Sequence, residues 1–334
     1  MIARLIAGVP RRALFLLGAL LALFILLPIF VSDYLLTVLI LVMYFAYAGQ
    51  AWNIMMGFAG QLSLGHALYV GLGAYTAAAL YVHFGIGPWI GLLVAIPVAA
   101  LAGAFVGFLA FRFRVAGVYF AILTIAVAEF ARVGFDHLGW THGSSGLFLP
   151  VAQYTHNDLW NMRGHPAMFY YLLLAVIVLA FIASRVLMQS RVGYFWLAIR
   201  EDEEAARSAG IDTFRYKMIA VAVSAGMTAF AGVIYAFYYN NLFPEQVFNI
   251  AQSILIILGP MVGGVGTLFG PIVGALVLET VAEGLRTLLA WFGIDLPGTN
   301  QLFFGIVLLL VVIAVPDGVW PWLARRFGLS ERKP

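Results

Sequence analysis

Long apolar stretches, each bounded by a short polar or charged segment, follow one another along almost the whole chain. Those long enough to cross a hydrocarbon core of about 30 Å fall near 13–31, 34–56, 67–82, 88–111, 115–135, 166–185 and 216–239. The uncharged run at 250–278 is too long for one span and too glycine-rich for one unbroken helix. It is read as two spans, near 250–263 and 270–291, divided around 263–270, and one more stretch lies near 301–316. The pattern predicts an all-α, polytopic membrane helical bundle of about ten transmembrane helices, forming a single domain over residues 1–334.

Composition supports this and removes other classes. The chain is 63% hydrophobic and 10% charged, with a mean hydropathy of +1.00, whereas soluble domains carry roughly 25% charged residues. Zero cysteines exclude a disulfide framework, a thiolate metal site and a catalytic thiol. The pI of 9.1 does not imply nucleic acid, because the basic residues form no long run and lie between the spans. The beginning of the chain resembles a signal peptide. However, the uncharged stretch at 13–31 exceeds a usual signal core and no small-residue cleavage site follows, so it is read as a retained first span.

Placing the N-terminus in the cytosol and crossing ten times puts 15 of the 18 Lys and Arg residues in inside segments. Only Arg132, Arg163 and Arg286 fall elsewhere. Both termini are then expected to be cytosolic, as is a coupling loop at 190–217, while 136–165 forms the longest outer loop. Spans 2–5 and 7–10 sit five crossings apart, so they enter from opposite sides, as an inverted repeat does. Each block contains a glycine-rich break, "GFAGQLSLGH" at 57–66 and "GPMVGGVGTLFGPIVG" at 259–274, although no residue-level match links the blocks.

The cytosolic loop holds the densest charge, "REDEEAARSAG" at 200–210. It is predicted to form a helix over 201–209, with Asp202, Glu203 and Glu204 in the first turn, where the helix dipole favours negative charge. Gly210 stands at the position of a left-handed C-terminal cap. Glu203 and Arg207 are spaced for an i,i+4 pair, and Ala205, Ala206 and Ala209 form a smooth face suited to close contact with another surface.

In "GFAGQLSLGH", Gln61, Ser63 and His66 stand beside Gly57, Gly60 and Gly65, one to two turns after Gln50 and Asn53. Two readings stay open. These residues line a translocation path with a broken backbone, or they form a tight turn whose polar groups are satisfied locally. The glycines of 259–274 also have two readings. Gly266, Gly270 and Gly274 repeat every four residues, as in a helix-packing ladder, whereas Gly263, Gly264 and Gly266 as a break would line the path.

Intramembrane acids form two groups, Glu129 with Arg132 and Asp136, and Glu279 and Glu283 with Arg286. They are read either as a proton relay or as structural pairs. The outer-loop histidines His137, His142, His156 and His165 have no metal-pair spacing, and no metal site is expected.

"EAARSAG" fits the E-A-A-x-x-x-G loop of ABC importer permeases through Glu204, Ala205, Ala206 and Gly210. Around it, "GYFWLAIREDEEAARSAGIDTFRYK" resembles branched-chain amino acid permeases of the LivM type, within the LivH/LivM permease family. "NIMMGFAGQLSLGHALYVGLGAYTAA" (53–78), "LTIAVAEFAR" (123–132) and "MVGGVGTLFGPIVGA" (261–275) are similar to further segments of that family, in order. "THGSSGL" at 141–147 departs from it, since the family tends to carry a glycine where this chain has His142.

The resemblance implies a permease subunit of an ATP-driven importer, in the bacterial inner membrane, carrying branched-chain amino acids inward by alternating access. Its implied partners are two ATP-binding subunits, which bind ATP and Mg and hold the coupling helix. A homologous LivH-type permease and a periplasmic substrate-binding protein complete the set. Relatives serving urea, amides or other small solutes keep the substrate open. Neither lysine lies in a phosphate-binding G-x-x-x-x-G-K-[ST] loop, so ATP hydrolysis is expected on another chain. The alternative class is a proton-coupled secondary transporter. A membrane enzyme has no support, since H-E-x-x-H and G-x-S-x-G motifs are both missing.

Overall fold

The computed structural model describes residues 11–150, 157–293, 305–306, 308–310 and 313–326. The chain folds as a helical bundle in which seven described segments are long and apolar enough to cross a membrane. They are Asp33–Phe58, Ala67–Phe84, Pro88–Arg112, Val118–His137, Pro166–Met188, Thr213–Tyr239 and Pro244–Gly263.

Helix α1 (Arg11–Leu26) precedes α2 (Asp33–Asn53), whose start is capped by Ser32 Oγ accepting from the Leu35 amide. Every residue from Val42 to Met55 is buried, so α2 is the centre of the bundle rather than an amphipathic wall. A π-turn at Ile54–Phe58 ends it. The chain then passes through the irregular segment 59–66 to α3 (Ala67–Phe84), which closes on Gly85 in the left-handed region (φ 67°). Next come α4 (Pro88–Arg112), α5 (Val118–His137) and α6 (Pro166–Met188). Two short helices follow, α7 (Arg191–Glu201) and α8 (Glu203–Ser208), and then the long α9 (Thr213–Tyr239). The remainder is α10 (Pro244–Val247), α11 (Ile250–Gly263), α12 (Gly270–Trp291) and α13 (Val319–Arg326). A minimal antiparallel pair, β1 (Leu147–Phe148) with β2 (Asn241–Leu242), lies at the end of the bundle opposite α8.

The break expected within 250–278 falls where glycine density placed it, α11 ending at Gly263 and α12 beginning at Gly270. Helix α12 carries Glu279, Glu283 and Arg286 and is not among the seven segments named above. The tenth expected span, near 301–316, lies partly outside the described residues.

Small residues let the central helices touch. A Cβ on Gly232 of α9 would lie 2.1 Å from the Val70 carbonyl oxygen, and one on Gly73 of α3 would lie 2.2 Å from that of Ala229. The α11–α12 hairpin closes the same way, Gly274 against the Gly259 carbonyl and Gly263 against that of Gly270. Gly266 is not a rung of this ladder, contrary to its four-residue spacing. It lies in the turn, at φ 78°, and faces Gly57 and Arg200 instead.

Helix α9 packs along α3 and α4, and α2 packs along α11 and α12, while α3 contacts α4 and α11 contacts α12. Exchanging α2 with α9, α3 with α11 and α4 with α12 maps this set of contacts onto itself. The two glycine-rich segments are not equivalent under that exchange. One joins α2 to α3, whose counterpart is the 240–249 link, and the other is the α11–α12 turn, whose counterpart is the three-residue link 85–87.

Candidate functional site

The charged segment is two helices rather than one. Asp202 interrupts the expected 201–209 helix with an extended backbone (φ −156°, ψ 107°) and caps α8, its Oδ1 accepting from the amides of Glu204 and Ala205 at 2.9 Å each. A carboxylate that satisfies two orphan helix-start amides does more here than one placed inside the first turn. At the other end Gly210 takes φ 84°, and Ile211 N–H donates back to the Ala206 carbonyl at 3.1 Å, closing α8 as its sequence predicts. Glu203 meets Arg207 at 3.0 Å. Glu204, Ala205, Ala209 and Gly210 are exposed, whereas Ala206 is buried against the bundle. The alanine face is therefore split between the two sides of the helix.

Helix α7 carries Arg200 in its last turn, and this side chain joins α8 to the spans. Its Nη1 donates to the Gly57 carbonyl at 2.6 Å, and its Nη2 donates to Glu201 at 2.9 Å. Glycine is required around it. A Cβ on Gly266 would meet Nη1 at 2.6 Å, and one on Gly60 (φ 71°) would meet the Arg200 Cγ at 3.0 Å. Asn53 completes the seam, its Oδ1 accepting from Gly266 N–H at 2.8 Å and its Nδ2 donating to the Thr267 carbonyl at 2.9 Å. Gly264 (φ 118°) lies against Pro321. Asn53, Gly60, Gly264 and Gly266 are thus brought together, as neighbours of the α7–α8 segment. Nothing in the local sequence marks Arg200 as their partner, since Gly57 is 143 positions away.

A second constellation lies deeper. Ser224 is eleven residues into α9, about 16 Å from its start. His66 Nε2 lies 3.0 Å from Ser224 Oγ, and Nδ1 lies 3.2 Å from Ser63 Oγ. Ser224 gives its own proton to the Ala51 carbonyl at 2.7 Å, so the network assigns His66 as a neutral imidazole donating from Nε2 and accepting at Nδ1. Trp52 Nε1 holds the Ser63 carbonyl at 2.8 Å, and Thr124 Oγ1 accepts from Leu64 N–H at 3.1 Å.

At this depth α3 begins, and the Ala67 amide donates to Ser253 Oγ near the start of α11 at 2.8 Å. Two helices thus start against each other inside the bundle. Gln61 turns back to the Ala59 carbonyl at 2.9 Å. Gln50 is buried with neither side-chain polar atom hydrogen-bonded. Ser224, Thr228 and Ser253 were missed from the sequence, although polar residues inside apolar spans are a usable signal.

The acids are largely engaged. Arg132 bonds Glu129 at 2.5 Å and Asp136 at 2.8 Å, and Glu283 accepts from the Tyr34 hydroxyl and lies 3.9 Å from Arg286. His165 caps α6, His137 bonds the Val133 carbonyl, and His156 lies outside the described residues. His142 adopts φ 61°, the conformation a glycine takes without strain, and stacks on His83 at 6.4 Å. Histidine therefore occupies a left-handed turn position here.

A family model described as "Branched-chain amino acid transport system / permease component" matches residues 34–312. The chain is 31% identical to the high-affinity branched-chain amino acid transport system permease protein LivM of Escherichia coli (strain K12), over 96% of this chain and 78% of that protein. It is 30% identical to LivM of Salmonella typhimurium, over the same shares. The fructose import permease protein FrcC of Rhizobium meliloti is 29% identical over 48% of this chain and 43% of its own length. No solved structure gives a significant match.

Proposed function

Because this chain belongs to the family of permease components of branched-chain amino acid transport systems, we propose that it is the membrane-spanning subunit of an ABC importer that carries branched-chain amino acids inward by alternating access. The observation that carries this reading is the Arg200–Gly57 bond. It ties an exposed helix to the ends of α2 and of the α11–α12 hairpin, so a pull on α8 acts on three spans at once. Helix α8 is the coupling element. Glu204, Ala205, Ala209 and Gly210 face an ATP-binding subunit, and Ala206 anchors the helix to the bundle.

ATP and Mg are held by two such subunits. A LivH-type permease completes the pore, and a periplasmic binding protein delivers the solute. The α8 end is cytosolic in the bacterial inner membrane. Helices α1 and α12 and the stretch near 301–316 bring the crossings to ten, with both termini inside. The exchange of α2–α3–α4 with α9–α11–α12 supports an inverted repeat, since α2 runs toward the α8 end and α9 away from it.

The path passes the depth at which α3 and α11 begin. The free amide of Gln50 faces no protein partner there, and Gln61 and Ser63 lie on the irregular segment between α2 and α3. The seam of Asn53, Gly60, Gly263, Gly264 and Gly266 is the inner closure. Similarity over 96% of the chain to a branched-chain amino acid permease, against 48% for a fructose permease, favours the amino acid substrate over sugars and other small solutes. The proton-coupled alternative loses its α5 carboxylates, since Glu129 and Asp136 are both bonded to Arg132, and retains only Glu279 and Glu283 on α12.

The test is a pull-down of the tagged permease from its native membrane, with leucine uptake measured in parallel. ATP-binding subunits are expected to accompany the parent, and Glu204→Lys and Gly210→Glu are expected to reach the membrane but to lose both the subunits and uptake. A parent that purifies alone and takes up leucine on a proton gradient would overturn the reading.

A further inference from the structure

Arg163, in the link between α5 and α6, is 5% exposed. It is also one of the three basic residues that the charge asymmetry leaves on the far side of the membrane from α8. Its guanidinium carbon sits over two rings, 5.3 Å from the centroid of Tyr81 on α3 and 5.6 Å from that of Phe237 on α9. Its Nη1 donates to Asn240 Oδ1 at the C-terminal end of α9. Its Nε and Nη2 are buried and have no hydrogen-bond partner.

Asp158, the nearest acid in the chain, is not its counter-ion. The two residues pair only through their backbones, at 2.7 and 2.9 Å. The Asp158 carboxylate is taken up by the amides of Trp160 and Asn161 and by Asn161 Nδ2. No ion pair involving Arg163 occurs among the described residues.

A buried guanidinium without a carboxylate is costly, and ring faces offset only part of that cost. The atoms left open are informative. Nε and Nη2 form the edge whose two parallel N–H groups match the two oxygens of a carboxylate. We propose that this edge of Arg163 binds the carboxylate of the transported amino acid on the outer side of the bundle. The inference rests on the amino acid importer reading above. The edge is covered in this structure. Trp89 Nε1 of α4 holds the link down through the Leu159 carbonyl at 3.0 Å, so the solute enters only when residues 157–165 lift.

The test uses the complete importer in vesicles. Leucine uptake by the parent checks the importer reading, and binding of labelled leucine without the delivery protein checks the site. Isocaproate, which keeps the carboxylate, is expected to displace leucine, and leucinamide, which lacks the charge, is not. Arg163→Gln is expected to weaken binding at least ~10-fold, as loss of a charged hydrogen-bond pair does.

Asn240→Asp guards against a merely structural role, since it supplies an internal counter-ion. It should keep or raise the melting temperature while weakening leucine binding by a similar factor. Parent vesicles that take up leucine but bind none, an Asn240→Asp variant with parental affinity, or displacement by inorganic phosphate as strong as by isocaproate would each overturn the proposal alone. Absence of leucine uptake by the parent would overturn the importer reading with it.

Discussion

Lys217 Nζ lies 2.8 and 3.0 Å from the two carboxylate oxygens of Glu203 and 4.5 Å from the centroid of the Phe111 ring. The lysine is near the start of α9, the phenylalanine near the end of α4 and the glutamate at the start of α8. One interaction therefore fastens the exposed helix to two spans. Trp196 of α7 adds a second fastening, its buried indole donating to the Tyr216 carbonyl at 2.8 Å. Helix α8 is thus held as a rigid extension of the bundle.

Glu203→Gln removes the charge that balances Lys217, whose side chain is only 7% exposed. The solubilised protein is expected to lose about 1–3 kcal/mol of stability, read as a lower melting temperature. Because an unpaired buried charge is the cause, Glu203→Leu with Lys217→Met should recover much of that loss. A double variant no better than the single one would assign the effect to something other than the pair.

The same pair sets a pH dependence. Burial alone would raise the Glu203 carboxyl, but hydrogen bonding and charge from Lys217, with Thr213 and Arg207, outweigh it and hold the group below its ordinary value of 4.5. A carboxyl lowered on folding contributes stability that is full above the ordinary value and is lost as pH falls through the lowered one. The melting-temperature gap between parent and Glu203→Gln should stay level from about pH 8 to about pH 5 and shrink below. A gap that widened in acid would contradict the sign.

Arg200→Ala should leave the complex assembled, because α8 keeps its own caps and its tie to Lys217. It should separate ATP hydrolysis from uptake, hydrolysis persisting while transport falls. Gly266→Ala should behave alike, since the added Cβ displaces Nη1 and meets the Gly57 carbonyl at 2.8 Å. Uptake and hydrolysis measured in the same vesicles decide it, and parental coupling in both variants would remove Arg200 from the transmission route.

Ser224→Ala leaves the His66 Nε2 proton without an acceptor, deep in the bundle, and removes one of two donors from the Ala51 carbonyl, which keeps the Ile54 amide. The expected cost is about 1–3 kcal/mol. Ser253→Ala should cost less, since it strips a single helix-start amide, and thermal melts of both variants would order them.

Two glycine variants separate geometry from space. A Cβ on Gly274 would lie 1.7 Å from the Gly259 carbonyl oxygen, whereas one on Gly210 meets open space. Gly274→Ala is therefore expected to prevent folding. Gly210→Ala should fold, at a cost of about 1–2 kcal/mol for its left-handed backbone, and membrane yield is the readout.

Helix positions were legible because each span is a local property. An apolar run of sufficient length forms a helix whatever its neighbours are, and Gly85, Gly210 and the glycines of 263–270 end helices for reasons carried in their own backbones. The cap at Asp202 was partly legible. Its charge was noticed, but whether it sits inside the first turn or outside depends on the direction in which α7 arrives. The Gly266 spacing misled, since a four-residue period marks a helix face only where a helix continues, and the chain turns at 264–269.

By itself, then, the sequence determined the class, the approximate spans, the exposed charged segment and the family. Each of these depends on residues close together in the chain. Tertiary structure alone decided the partners. It set Arg200 against Gly57, Glu203 on Lys217, His66 between Ser63 and Ser224, and Arg163 among Tyr81, Phe237 and Asn240. Those contacts bridge up to 158 positions, and in a chain whose two blocks share no residue-level match no local pattern encodes which of many polar residues meet. Packing of small-faced helices brings them together, and burial then makes each unpaired polar atom costly enough to select the match.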